Sequence, residues 1–418
     1  MPSTRSRRTR YLFVHQNFPG QFPHIARALA ERGDEVMALG ETGNVSRRPS
    51  PHPRIKTVGY PAPEGAGSHT HQYLRGLEAH VRRGQTVLRA CLSLKRQGFQ
   101  PDVVIAHPGW GEALFLKEAW PQARHIHYLE FYYQTQGADV GFDPAFPDSL
   151  DDRCRVRIKN ATQQLSFEAA DAAISPTAWQ KSRFPPSWQH KIHLCHDGID
   201  TARIRPDEKA QVQVGGQTLT REQEVVTFVA RNLEPYRGFH TFMQAVPLIL
   251  EQRPQAHILI VGGDGVSYGK PPADAASYRE QYVAAWGNSV DHSRVHFLGH
   301  LPYADYLRVL QISALHVYLT YPFVLSWSML EAMSAGCLVL GSDTKPVREV
   351  IRDGDNGFLT DFFDAQALAS RAASLLANRQ ALTPIRAAAR ETACTTYDLQ
   401  GICLPRILDL LAPHPILT

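Results

Sequence analysis

The stretch that decides the fold is VVTFVARNLEPYRGFHTF at residues 225–242, where an apolar run leads through a polar loop into a second apolar segment. A short apolar run rich in β-branched residues predicts a buried strand, and the glycine at 238 marks the turn into a helix. A strand followed closely by a helix is the repeating unit of parallel sheets covered by helices. We therefore expect the strand to end at Ala230 and the helix to begin near Gly238.

Strand-then-helix units of this kind occur along the whole chain, in two groups. Apolar runs predict strands at 11–15, 35–40, 102–107, 125–131 and 171–176, and again at 225–230, 257–263, 295–299, 314–320 and 337–342. Amphipathic segments such as 22–32, 303–312 and 327–335 predict helices between them. The pattern predicts two doubly wound, Rossmann-like α/β domains. Because ligands of such sheets bind at the carboxyl ends of the strands, we expect both sets of ends to face one interdomain cleft.

The domain boundaries follow from the polar stretch at 201–224, which contains the pair Gly215-Gly216. The predicted organisation is a flexible basic tail at 1–10, a first domain at 11–205, a linker at 206–224, a second domain at 225–395 and a C-terminal helical segment at 396–418. For that last segment we consider a return to the first domain.

Composition excludes several classes of protein. The 418 residues carry a net charge of +4 and are 43% hydrophobic, as is typical of a globular protein with a large core. No run of Lys and Arg beyond residue 10 is dense enough to follow a nucleic-acid backbone, so nucleic acid is not an expected partner. The six cysteines include no CxxC pair, which argues against a disulfide framework or a zinc site. We expect a cytoplasmic protein without a membrane span.

Two stretches of the second domain carry candidate binding residues. Arg231 and Arg237 lie on the predicted loop before a helix N-terminus, a combination that suits a diphosphate, although two solvated loop arginines would give the same pattern. In YPFVLSWSMLEAMSAG at 321–336, the first-turn N–H groups near Ser326–Ser328 could bind phosphate, and Glu331 one turn later could accept two ribose hydroxyls.

Together with several other segments, these residues resemble the retaining glycosyltransferases of family 4, which have the two-domain GT-B fold. The resemblance rests on the pair of arginines before Gly238 and on the segments VGGDG at 261–265, LEAMSAG at 330–336, PVREVIRDGDNGFL at 346–359, FPGQFPHIARALAERGDEV at 18–36 and HDGID at 196–200. The match covers nearly the whole chain and is stronger in the second domain. That distribution is expected if the second domain binds a common nucleotide-sugar and the first a variable acceptor.

The resemblance implies a role for each matching residue. Arg231 and Arg237 would neutralise the donor diphosphate, and Glu331, the second Glu of the family's Glu-x7-Glu motif, would hold the ribose. The remaining predicted substrate-binding residues are Gly20 and Gln21 in the first domain, and Gly263, Gly299, His300, Ser326, Trp327 and Ser328 in the second. Gly20 matches a glycine at which the backbone approaches the diphosphate, and Gly299 and His300 occupy the position from which main-chain groups contact the base.

Two positions depart from the family pattern. The first Glu of the motif is replaced by Phe323, and the family's histidine at the end of a first-domain strand is replaced by Glu130. Both changes concern the choice of sugar and acceptor rather than the nucleotide. Glu130 therefore joins Arg231 and Arg237 as a predicted catalytic residue. For Phe323 we weigh two alternatives: Ser326, Ser328 and nearby N–H groups replace the missing carboxylate, or the ring only packs beneath the helix.

Metal and membrane sites are weaker candidates. Asp353-Gly354-Asp355 matches an Asp-x-Asp metal motif of another glycosyltransferase fold, but it lies in the loop after PVREVI, where the family has a simple turn. His125 and His127 alternate on one strand, but no third ligand is evident, so we predict no metal and no cofactor. Residues 71–100 combine six basic residues with Leu74, Leu77, Val81, Leu88 and Leu92. A basic amphipathic helix of this type either covers the sheet or lies on the inner face of an anionic membrane.

The sequence thus predicts a metal-independent, retaining hexosyltransferase that uses a nucleoside-diphosphate sugar, by default a UDP-sugar, as co-substrate in glycan biosynthesis. The acceptor would be a small molecule, a glycan or a lipid-linked compound. In the family, the leaving diphosphate is thought to accept the acceptor's proton on the same face. The alternatives are a nucleotide-sugar 2-epimerase of the same fold and a non-catalytic sugar-nucleotide binding protein.

Overall fold

The computed structural model describes residues 8–413, which form two compact units. The first unit contains the chain up to Asp197 and again from Cys403 onward, and the second unit runs from Gly198 to Ile402. Each unit is built on its own parallel sheet covered by helices.

The first unit contains a seven-stranded sheet in the order β3-β2-β1-β4-β5-β6-β7. Its strands are β1 (Arg10–Val14), β2 (Glu35–Glu41), β3 (Lys56–Tyr60), β4 (Val103–Ala106), β5 (Arg124–Tyr128), β6 (Ala172–Ser175) and β7 (Ile192–Leu194). Its helices are α1 (Pro23–Arg32), α2 (Thr42–Val45), α3 (Arg75–Arg96), α4 (Leu116–Ala119), α5 (Leu150–Lys159), α6 (Ala161–Glu168) and α7 (Ala178–Arg183). The order reverses between β1 and β4, whose residues 11–14 and 103–106 are almost completely buried. Such burial on both faces explains the continuous apolar runs.

The second unit contains a six-stranded parallel sheet in the order β12-β11-β10-β13-β14-β15, which reverses between β10 and β13. The strands are β10 (Val225–Asn232), β11 (His257–Gly263), β12 (Val295–Gly299), β13 (Leu315–Tyr318), β14 (Val339–Ser342) and β15 (Phe358–Thr360). The helices are α8 (Phe239–Gln252), α9 (Tyr278–Trp286), α10 (Tyr303–Gln311), α11 (Trp327–Ser334), α12 (Lys345–Arg348), α13 (Ala365–Ala377) and α14 (Thr383–Thr396). In such sheets the reversal is the position at which ligands bind.

The stretch predicted as a linker is a folded part of the second unit. It forms an antiparallel hairpin of β8 (Val212–Val214) and β9 (Gln217–Leu219), closed by Gly215 and Gly216 with φ of +57° and +77°. Leu219 is buried in one core cluster with Val225 and Leu259. Residues 198–205, which we assigned to the first domain, also belong to the second unit, because Ile199 and Ile204 pack into its core.

The C-terminal segment divides between the two units. A π-helical turn at Leu399–Cys403 leads into α15 (Leu404–Leu410), and the chain from Cys403 belongs to the first unit. There Arg124 donates hydrogen bonds of 2.6 and 2.8 Å to the carbonyls of Leu410 and Ala412. The predicted basic tail lies mostly outside the described residues, and Arg10 already belongs to β1.

Helix α3 presents a different face to the core than the helical pattern suggested. Its buried residues are Gly84, Val87, Cys91 and Leu94. Three of the five apolar residues expected on the covered side are exposed instead: Leu74, Val81 and Leu92, at 44, 40 and 38%. The buried side packs Val87, Cys91 and Leu94 into the core of the first unit, and Gly84 lies against Gly111 and Phe115. None of the helices within residues 8–413 is long and apolar enough to cross a bilayer.

Candidate functional site

Arg237 lies at the point where the sheet of the second unit reverses. Strand β10 runs two residues further than predicted, so Arg231 is an exposed strand residue rather than a loop residue. A turn at Pro235–Arg237 then leads into Gly238, whose φ of +66° favours glycine, and into α8. The Arg237 guanidinium donates 2.9 and 2.8 Å hydrogen bonds to Thr320 Oγ1 and the Val324 carbonyl in the loop after β13. It therefore joins the loops of the two strands that flank the reversal.

A group of aromatic rings surrounds this arginine. The Arg237 guanidinium carbon is 5.6 Å from the centroid of the Tyr268 ring and 5.9 Å from that of Phe323. Phe323 is only 3% exposed, with Tyr236 edge-on at 5.5 Å and Tyr268 at 4.8 Å. Tyr268 is 40% exposed and covers this ring. Of the two alternatives for Phe323, this packing favours a ring buried beneath its neighbours.

The loop that carries Tyr268 is held by a carboxylate that the sequence did not single out. Glu234 is 1% exposed, and it accepts hydrogen bonds from the backbone N–H groups of Ser267, Tyr268 and Gly269 at 2.9–3.1 Å. A buried carboxylate must be compensated in this way because burying an unpaired charge is costly. The three bonds fix the position of Tyr268 over Phe323.

The N-terminus of α11 begins at Ser326, whose hydroxyl caps the helix by accepting from the Ser328 N–H at 3.4 Å. The Ser326 N–H itself donates to the Tyr318 hydroxyl at 2.8 Å. Trp327 is 41% exposed, whereas Ser328 is buried. The predicted phosphate-binding segment is therefore a capped helix start with one exposed aromatic residue.

Glu331, the predicted ribose-binding residue, is nearly buried and held by two tyrosines of α10. Tyr303 donates to Oε1 and Tyr306 to Oε2, each at 2.6 Å. Burial raises the pKa of Glu331, and the two phenol hydrogen bonds oppose that rise only in part. Each carboxylate oxygen keeps a second acceptor site, so the group can still bind a diol.

The predicted base-contacting residues Gly299 and His300 lie near Gly263, another predicted substrate-binding residue, in the second unit. A Cβ on Gly263 would lie 2.3 Å from His300 Nε2, so the glycine allows the imidazole to approach the end of β11. Gly299 has a φ of +63°, and His300 after it is exposed. The structure thus brings Gly263, Gly299 and His300 to one edge of this sheet.

In the first unit, the ends of β1, β4 and β5 bring together two buried histidines and Glu130. Gly20, with φ of +52°, packs on His15, whose ring would lie 2.6 Å from any Cβ there. Burial lowers the pKa of His15 to about 3, so its ring is neutral. Gln21 Nε2 donates to Glu130 Oε1 at 3.1 Å, and His107 Nε2 lies 3.6 Å from Glu130 Oε2.

The electrostatics of Glu130 follow from these neighbours. Burial acts to raise its pKa, but other interactions, chiefly those with His107 and Gln21, lower the pKa below its ordinary value. The carboxyl is therefore ionised near neutral pH. An ionised carboxylate only accepts hydrogen bonds.

The weaker metal candidates have other partners. Asp353 accepts from the Leu359 N–H and pairs with Arg371 at 2.5 Å, and Asp355 pairs with Arg352 at 2.6 Å. His125 and His127 are buried in β5. Within residues 8–413 no group of three or more His, Cys, Asp or Glu side chains is arranged to hold a metal ion.

Sequence reasoning missed His107, Trp110, Tyr268, Tyr303 and Tyr306. The available signal was position, because His107 directly follows a strand at the edge where ligands bind. The tyrosines carry no such signal, since Tyr303 and Glu331 meet only through folding, 28 residues apart.

Comparison with known proteins agrees with this architecture. The sequence model of the family described as glycosyl transferase family 4 group matches residues 32–204. The sequence model of the family described as glycosyl transferases group 1 matches residues 215–392. The chain is 31% identical over 164 residues to a phosphatidyl-myo-inositol mannosyltransferase of Mycolicibacterium smegmatis, and the match covers 38% of each chain. It is 24% identical over 401 residues to a glycogen synthase of Mycobacterium tuberculosis, covering 91% of this chain and 87% of that protein. The chain thus aligns with well under half the length of the mannosyltransferase.

Solved structures show the same fold at low identity. Sucrose-phosphate synthase from Thermosynechococcus elongatus superimposes with a TM-score of 0.72 at 16% identity, covering 96% of this chain and 98% of that one. HepE from Anabaena, solved in complex with UDP, superimposes with a TM-score of 0.66 at 16% identity, covering 96% of this chain and 99% of that one. Two parallel-sheet domains of this kind define the GT-B fold. The two successive family matches show that the chain belongs to the group 1 glycosyltransferases of family 4.

Proposed function

We propose that this glycosyltransferase moves a hexose from a nucleoside-diphosphate sugar, with UDP as the default nucleotide, to an acceptor hydroxyl with retention of configuration and without a metal ion. The observation that carries the proposal is the placement of Arg237 at the reversal of the second sheet, bound to the loop after β13. Arg231, exposed near the end of the same strand, adds a second positive charge. UDP is chosen because the structural neighbour HepE was solved with it.

Each proposed role uses a group already in position. Arg231, Arg237 and the start of α11 would stabilise the leaving diphosphate, and this electrostatic effect is usually the largest in catalysis. Glu331, oriented by Tyr303 and Tyr306, would accept hydrogen bonds from the ribose. In the first unit, Glu130 would bind the acceptor or the transferred sugar. The diphosphate itself would take the proton of the acceptor hydroxyl as the glycosidic bond forms.

A donor screen followed by a product assay tests the proposal. UDP, GDP, ADP and their hexose conjugates are compared by thermal shift, since a ligand at about 100 times its Kd stabilises by about 2.7 kcal/mol. The stabilising donor is then incubated with and without acceptors, and the anomeric coupling in the product is read by NMR. We expect transfer with retention. A new epimer formed from donor alone would indicate the epimerase. Donor binding with neither transfer nor slow donor hydrolysis would indicate a non-catalytic binding protein.

We also propose that the exposed face of α3 contacts an anionic membrane surface, where a lipid-linked acceptor would be found. At 100° per residue, Leu74, Val81 and Leu92 form one exposed apolar strip. Arg89 and Arg96 lie beside it and are also exposed. Apolar residues next to a basic strip suit the interface of a bilayer that contains anionic lipid.

Vesicle sedimentation tests this second proposal. Wild type should bind vesicles of phosphatidylglycerol and phosphatidylcholine, and should bind phosphatidylcholine alone more weakly. Leu92→Glu should reduce binding severalfold, because it places a charge in the apolar strip, while Leu165→Glu on another exposed leucine should not. Equal binding by the two variants would refute the assignment of this face.

A further inference from the structure

In the first unit, His107 lies beside Glu130 but has no part in the proposed function. We propose that His107 is a positioning residue: together with Gln21 it orients the Glu130 carboxylate so that its free lone pairs bind hydroxyls of an uncharged, polyhydroxylated acceptor. The inference rests on the proposed function and specifies the substrate class of the acceptor side. It is carried by the contacts among these three residues.

The orientation and tautomer of His107 are fixed by its neighbours. The Gly109 N–H donates to His107 Nδ1 at 3.1 Å, so the ring proton must lie on Nε2. Trp110 stacks on the imidazole with centroids 4.3 Å apart and an angle of 19°. A Cβ on Gly109 would lie 2.7 Å from the ring, so only glycine fits there. The imidazole is therefore clamped between the tryptophan and the backbone.

The Nε2–H of His107 is directed toward Glu130. Nε2 is buried, lacks a hydrogen-bond partner within residues 8–413, and lies 3.6 Å from Glu130 Oε2. This distance is longer than a hydrogen bond, but the hydrogen bonds of unliganded active sites are often long and shorten when substrate binds. A buried donor without a partner beside a carboxylate favours that shortening, because leaving it unsatisfied costs free energy.

Glu130 is held on its other sides as well. Gln21 Nε2 donates to Oε1, and Gln180 Nε2 donates to the Glu130 backbone carbonyl at 2.6 Å. The carboxylate remains 32% exposed, and each oxygen keeps one acceptor site. The ionisable groups around it are His15 at the end of β1, His107 after β4, Tyr128 on β5 with its partner Asp197, and Arg48 near His15.

The mixture of groups indicates what binds. A carboxylate accepts hydrogen bonds from hydroxyls and repels phosphate, while the second N–H of the Gln21 amide can donate. Hydroxyl groups both donate and accept, so a polyol matches both kinds of partner. An ammonium group could only donate and would leave that second N–H of Gln21 unmatched.

The experiment compares His107→Phe with His107→Gln, which keeps an N–H donor, and with the exposed control His71→Phe. Carbon-13 NMR of the Glu130 carboxyl, without any substrate, should show its pKa rising in His107→Phe and rising less in His107→Gln. With a sugar acceptor, His107→Phe should raise the acceptor KM about tenfold with donor KM unchanged, and the acidic limb of the pH profile should move to higher pH. The acidic limb moves to higher pH because the active carboxylate of Glu130 loses the partner that keeps its pKa low.

The outcomes separate the two proposals. An unchanged Glu130 pKa and an unchanged acceptor KM in both His107 variants would overturn the positioning role. If His107→Phe does not fold, as judged by its Tm, His107→Gln is compared with wild type: a small rise of the Glu130 pKa supports the positioning role, and an unchanged pKa overturns it. If no donor supports transfer, the proposed function fails, and a mannitol or disaccharide titration of the Glu130 carboxyl signal still tests the polyol site: a saturable shift that weakens in His107→Phe supports it, and no shift refutes it.

Discussion

The phenol of Tyr306 donates a 2.6 Å hydrogen bond to Oε2 of Glu331, and Tyr303 from the same helix face donates to Oε1. Helix α10 therefore determines the orientation of a carboxylate on α11. A carboxylate with both oxygens already held loses little side-chain entropy when a ligand binds, which favours affinity.

We predict that removing these phenols weakens donor binding. The double variant Tyr303→Phe/Tyr306→Phe should raise the donor Kd about tenfold, because Glu331 loses both hydrogen bonds that fix it. Isothermal titration with the stabilising nucleotide measures the effect. The control is Tyr73→Phe, which removes a hydrogen bond between a tyrosine and Asp151 in the first unit. This variant should bind the nucleotide as wild type does. An unchanged Kd in the double variant would show that Glu331 does not contact the donor.

Treatment with EDTA should leave activity intact, since two arginines and a helix start provide the positive field that a metal would supply. Asp355→Ala should also be active, because Asp355 pairs with the exposed Arg352. Initial rates before and after chelation give the answer. A loss of activity that Mg²⁺ or Mn²⁺ restores, and that Asp355→Ala reproduces, would count against metal independence.

Phe323 provides a test of sugar selection. Because Tyr268 covers the ring, Phe323→Leu should cost about 1 kcal/mol of stability and leave the preference among donor sugars unchanged. Phe323→Glu should be destabilised by at least about 3 kcal/mol, since it removes the ring and buries a charge. Thermal unfolding and a donor panel measure both effects. A new sugar preference in a well-folded Phe323→Glu would mean that this side chain reaches the donor.

Acid should destabilise the fold through buried histidines. Burial lowers the pKa of His15, His127 and His316 to about 3, so they remain neutral in the folded chain while the unfolded chain takes up protons below about 6.5. Stability should therefore fall as the pH drops from 6.5 toward 3, by at most about 1.4 kcal/mol per pH unit for each ring.

His127 isolates this effect because neither ring nitrogen has a hydrogen-bond partner within the described chain. Urea unfolding of His127→Leu at pH 7.5 and 5.0 should show a smaller loss of stability on acidification than wild type. The exposed His71→Leu should behave as wild type does. The same acid dependence in His127→Leu would contradict the assignment of that pKa.

Much of the fold could be predicted because buried parallel strands are continuous apolar runs. The strands at 257–263 and 295–299 have the predicted bounds. The short edge strands β3, β7 and β15 were missed, because they contain exposed or partly exposed residues and little apolar sequence. Apolar runs also extended predicted strands beyond their ends, as at His107 and Glu130.

The candidate site was predictable only where local sequence sets the geometry. Gly238 marks a turn whether or not its partners are known, so the position of Arg237 followed from the sequence. The bonds of Arg237 to Thr320 and of Glu234 to Tyr268 join separate loops. Such pairs depend on how the strands are ordered in the sheet, which no local pattern contains.

The measurement that tests the central claim most directly is single-turnover and steady-state transfer by Arg231→Ala and Arg237→Ala, with Arg308→Ala, an exposed arginine of α10, as control. Each site variant should lose about 2–4 kcal/mol of transition-state stabilisation, or about 30- to 1,000-fold in rate, while Tm and the control rate stay near wild type. Near-normal turnover in both site variants, with the fold intact, would contradict the diphosphate site and the proposed function based on it.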